Sequence, residues 1–127
     1  MRRSWLFLSA VAACGTSLLT GCSASHSAAP ATCGSASTAA GVPVIIEVAK
    51  GNVSCRTALS IETKYTALIK SGDVRGTGGG APVTVSGWTC QGYSTPQILQ
   101  TGDASQCHTR TAEILAVLPT PTATPTP

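Results

Sequence analysis

The chain has 127 residues, 10% of them charged and 4% aromatic, with 13 Gly, 8 Pro, 6 Cys and a formal charge of +3. That length allows one small domain and excludes a multi-domain enzyme or a long coiled coil. After residue 21 six bases face five acids, a net charge of +1 with no run of Lys or Arg, which argues against a nucleic-acid partner.

The N-terminus reads as a bacterial export signal. Arg2 and Arg3 precede an uncharged apolar stretch from Trp5 to Leu19 that small residues interrupt at Ser9, Gly15, Thr16 and Ser17. It is too short and too broken for a comfortable membrane span. The stretch ends in Leu19-Thr20-Gly21-Cys22. This resembles the lipobox of bacterial lipoproteins. The resemblance implies that residues 1–21 are removed and that the Cys22 thiol carries a covalent diacylglycerol, with an N-acyl group on the new terminus in many bacteria. Two acyl chains suffice for stable anchoring, at about 0.8 kcal/mol per buried methylene. The expected address is the cell membrane, with the protein on its outer side. No other cofactor is expected.

Residues 22–41 are rich in Ser, Ala, Thr and Gly and read as a flexible tether, with Cys33 pinning its second half. Residues 42–118 form the expected domain. Val42–Val48 is apolar and β-branched, a strand that Pro43 moves to a late start or a sheet edge. Lys50-Gly51-Asn52 is turn chemistry. Ser54 is an N-cap for a helix from Cys55 to about Lys70. Its apolar stripe takes Cys55, Ala58, Ile61 (or Glu62), Tyr65, Leu68 and Ile69, and Gly72 can close it in the left-handed region.

Residues 73–81 hold four glycines and read as a mobile loop. A phosphate loop would need Gly-Lys-Ser/Thr entering a helix, whereas Ala81-Pro82 and a strand follow Gly80. Pro82–Cys90 reads as one strand, with Val83 and Val85 on one face and Thr84, Ser86 and Trp88 on the other. Gln91–Gln106 is a polar connection with room for a turn of helix around Pro96–Gln100. Cys107–Leu118 fits either helix or strand by periodicity. A strand is expected, because the helix then covers three strands. Residues 119–127 are a Pro/Thr tail, extended and disordered.

Cys14 leaves with the signal and Cys22 takes the lipid, so Cys33, Cys55, Cys90 and Cys107 remain. Four cysteines in a small exported domain read as two disulfides. Zinc is the alternative, but no Cys-x-x-Cys spacing supports it. Three pairings are open, and the sequential one closes the shortest loops. The expected fold is therefore α+β: one helix packed on a small, mainly antiparallel three-stranded sheet, with two disulfides.

Gly51-Asn52-Val53-Ser54-Cys55, Ala58, Tyr65, Val85-Ser86-Gly87-Trp88-Thr89-Cys90 and Cys107 together carry a second resemblance. The pattern G-x-V-S-C-x-x-A…Y…V-x-G-W-x-C…C is similar to small exported lipoproteins of actinobacteria, over about residues 42–118. The resemblance implies an α+β domain, with the first motif Cys at a helix start and Trp and the next Cys on a following strand. It implies no particular activity. In such proteins Thr/Pro stretches accept O-linked mannose, a role open to Thr120, Thr122, Thr124 and Thr126 against that of a bare end.

Candidate chemistry is sparse. Trp88 and Tyr93 could line a ligand groove, although Trp88 fits a core position as well. His26 lies in the tether, and His108 with Asp103 and a Ser is conceivable as a catalytic set, but no nucleophile elbow frames any Ser. The expectation is thus a non-enzymatic binding or accessory module. Its partners would be the plasma membrane, through the lipid, and an envelope protein or polymer. The alternatives are a small carrier of an apolar ligand or glycan, in a groove between helix and sheet with Trp88 at its mouth, and an enzyme without a recognisable site.

Overall fold

The computed structural model describes residues 29–75 and 80–121. The export signal, Cys22, the first part of the tether, the core of the glycine loop and most of the Pro/Thr tail lie outside the described residues. The element order is β1 (Ala31–Ser37), β2 (Pro43–Lys50), α1 (Cys55–Ser71), β3 (Val83–Val85), β4 (Trp88–Gly92), α2 (Thr95–Thr101), β5 (Asp103–His108) and β6 (Glu113–Val117). The strands form one antiparallel sheet in the order β1-β2-β6-β5-β4-β3. The fold is α+β, but the sheet has six strands rather than three and a second, short helix accompanies the first.

Three strands are additions to the sequence reading, each for a physical reason. β1 lies within the expected tether, in a stretch with no β-branched residue but Thr32. Pairing with β2 makes it a strand, and Cys33, the extra residue at a bulge between Thr32 and Gly34, is tied to Cys55 at the start of α1. β5 is largely polar, yet it lies between β4 and β6, so ladder bonds on both edges override its weak propensity. The third arises because Pro82–Cys90 is a hairpin, not one strand.

That hairpin also corrects a facing. Val85 pairs directly with Trp88, and Val83 with Cys90. Directly opposed residues share a face, so Trp88 lies on the same side as both valines. Between them Ser86 (φ 48°) and Gly87 (φ 84°) both take positive φ, the requirement of a two-residue turn whose twist matches the strands.

α1 forms as its pattern predicts. The Ser54 hydroxyl accepts the Thr57 N–H at 3.1 Å, and the Gly72 N–H bonds back to the Ile69 carbonyl at 3.1 Å. The helix buries Ala58, Ile61, Glu62, Tyr65 and Thr66. Beneath it lie Val44, Ile46 and Val48 of β2, Ile114 and Ala116 of β6, and Val85 of β3. Cys90 and Cys107, paired directly across β4 and β5 and joined as a disulfide, extend this core with no exposed surface. Both bonds follow the sequential pairing.

Candidate functional site

α1 does not cover the whole inner face. Its C-terminal half, the turn after β1, α2 and the start of β5 surround a groove of about 850 Å³. Ile69 of α1, Ile98 of α2, Ala104 of β5 and Leu118 after β6 supply apolar wall, while Thr38 to Ala40 and Val42 close the side toward β1. The volume lies within the range of small-molecule sites.

Two local features shape it. The β5–β6 register slips between Asp103 and Ser105, leaving Ala104 as an extra residue. The bulge lets the consecutive residues Ala104 and Ser105 both line the groove, which regular alternation forbids. α2 is held by its first turn, where the Gln97 carboxamide oxygen accepts from the Ser94 N–H at 3.0 Å and the Ser94 hydroxyl at 2.8 Å. This directs Ile98 into the groove and leaves Leu99 81% exposed beside it. Among the described residues, Leu99 and Val42 are the exposed large hydrophobic side chains.

The carboxyl lining the groove is that of Glu62, only 3% exposed. Ser105 donates its hydroxyl hydrogen to Glu62 Oε1 at 3.2 Å. Burial raises the carboxyl above its ordinary range, and the Ser105 bond partly offsets this. Among the described residues no cation contributes. Lys70, at the rim, is exposed to solvent. Tyr65, beside Glu62 in the lining, is pushed up to about 12 by burial and by the Glu62 charge. Tyr93, also in the lining, is raised by burial and then by Asp103 and Glu113. The groove is apolar in much of its wall and holds one buried carboxyl, Glu62.

Of the two aromatic side chains proposed from sequence, Tyr93 lines the groove and Trp88 does not. Trp88 is half-buried and packs against the core from β4, away from the mouth expected for it. The sequence reading missed Glu62 as a site residue because its helical position alternates with Ile61 as core. The signal was there: an acid at a stripe position must find a partner or a cavity. Ser105 gave no comparable signal.

His108 and Asp103 do not converge. They occupy opposite ends of β5, five residues apart, or about 17 Å along a strand. His108 lies instead by a wide, more polar concavity of about 890 Å³ with Thr89, Thr109 and Arg110, and its buried Nδ1 has no hydrogen-bond partner. Among the described residues no three His, Cys, Asp or Glu side chains cluster to hold a metal, and no helix is long and apolar enough to cross a membrane. Comparison with protein-family models, curated proteins and solved structures finds no match.

Proposed function

We propose that this is a lipid-anchored protein of the cell envelope that binds a small, largely apolar molecule in the groove between α1, α2 and β5. The observation that carries the reading is the pairing of apolar walls with one buried, hydrogen-bonded carboxyl: Glu62 on Ser105, in a space of about 850 Å³. Sites of this composition bind through burial of the ligand's apolar body and orient it with a few polar groups. The envelope address rests on the order of charged start, apolar run and Leu19-Thr20-Gly21-Cys22. The broader reading as a non-enzymatic binding module is kept, and the groove supplies the class of thing bound.

Native mass spectrometry of the protein extracted from its own membranes tests the groove. A retained small molecule is expected on the wild type, and Ala104→Trp, which fills the space, is expected to emerge empty. Equal retention by both proteins contradicts the proposal. Cys22→Ser tests the address separately: the variant is expected to lose the acyl mass and leave the membrane fraction.

A further inference from the structure

The groove reading leaves the ligand's polar end undefined, and the electrostatics of the lining constrain it. Glu62 is a carboxyl almost sealed from water, bonded to the neutral hydroxyl of Ser105 and, among the described residues, compensated by no cation. A buried carboxylate without a counter-charge is costly, and such groups either stay protonated or acquire a partner. The described residues supply none. Lys70 also lines the groove but is exposed, and no ion pair joins it to Glu62. A divalent cation is a poor candidate, since no cluster of ligating side chains exists among the described residues and one carboxylate does not hold such an ion. A carboxylate ligand would meet Glu62 as a like charge.

We propose that the groove takes an apolar molecule ending in a protonated amine, whose ammonium donates hydrogen bonds to the Glu62 carboxylate beside the Ser105 hydroxyl. The proposal rests on the groove being a ligand site and names the chemistry that the site selects. The amine supplies the absent counter-charge. Ile69, Ile98 and Leu118 take the apolar body. Tyr65 and Tyr93, in the same lining, are aromatic side chains, whose ring faces attract cations rather than anions.

The test uses the full chain in lipid nanodiscs, with empty nanodiscs as baseline, and three probes of nearly one shape: 4-phenylbutylamine, 4-phenylbutanol and 4-phenylbutyrate. Titration calorimetry near neutral pH is expected to rank the amine about tenfold or more above the alcohol, with the carboxylate weakest, since of the three only the ammonium brings a counter-charge to the buried carboxylate. Glu62→Gln is expected to remove the amine's advantage over the alcohol, with an unchanged circular-dichroism spectrum showing that the variant is folded. If the alcohol binds wild type as well as the amine does, or if Glu62→Gln leaves the amine's advantage intact, the amine assignment is overturned and the groove reading stands. If none of the three binds, the groove reading falls and the amine assignment falls with it.

Discussion

Ser105 on β5 reaches Glu62 on α1 across the helix–sheet interface, 43 residues apart in sequence and 3.2 Å apart in space. This contact ties the one buried acid of α1 to the strand that floors the groove. It makes α1 more than a lid on the sheet, because the same side chain that interrupts the apolar stripe also sets the polarity of the cavity.

Glu62 makes stability depend on pH in a stated direction. Its carboxyl binds a proton more tightly in the folded chain than in the unfolded one, mainly through burial. The stability it costs is therefore absent below the unfolded value of about 4.5 and grows as pH rises through the folded value. Glu62→Gln, which keeps an acceptor for Ser105, is expected to be more stable than wild type near neutral pH. The difference is expected to shrink toward acid. Denaturant melts of both chains across the pH range check this, and a difference independent of pH contradicts it.

The disulfides are expected to differ in what their loss exposes. Each should contribute about 2–4 kcal/mol through restriction of the unfolded chain, given separations of 22 and 17 residues. Replacing Cys33 and Cys55 together by Ser is expected to free β1, which few buried contacts hold, and to leave the rest of the sheet protected in hydrogen exchange. Replacing Cys90 and Cys107 by Ser places two hydroxyls in fully buried positions and is expected to destabilise the whole domain. Equal, global loss of protection in both double variants contradicts this ordering.

Gly51 is the glycine with no room to spare. It has φ +82°, and a Cβ there would lie 2.6 Å from the Thr111 carbonyl oxygen and 2.9 Å from Ala112. Gly51→Ala therefore combines backbone strain with a clash against the β5–β6 turn, at an expected cost of about 2 kcal/mol or more. Gly87→Ala, at φ +84° but with open space around it, is expected to cost about 1 kcal/mol. Thermal melts of the two variants give the order directly.

What the sequence disclosed follows from where local signals are strong. Ser54, the stripe through Tyr65 and Gly72 define α1 almost to the residue, because capping and 3.6-residue periodicity are local properties. β2 is legible from its run of Val and Ile, whereas periodicity leaves Cys107–Leu118 open between helix and strand, and its first two residues belong to β5 rather than β6. β1 and β5 are not legible, since Ala31–Ser37 and Asp103–His108 become strands through partners distant in sequence. The hairpin at Ser86-Gly87 carries a usable dipeptide, but the β-branched pattern of Pro82–Cys90 reads as one continuous strand. The groove was anticipated between helix and sheet, but its floor depends on the Ala104 bulge and on Glu62, neither of which has a sequence motif.

The most direct measurement is a backbone amide map of the isotope-labelled chain titrated with 4-phenylbutanol. The account predicts the largest shifts at Thr66, Tyr93, Ile98, Ala104 and Leu118, around the groove. Shifts centred instead on Thr89, His108 and Arg110, or spread evenly over the sheet, would contradict it.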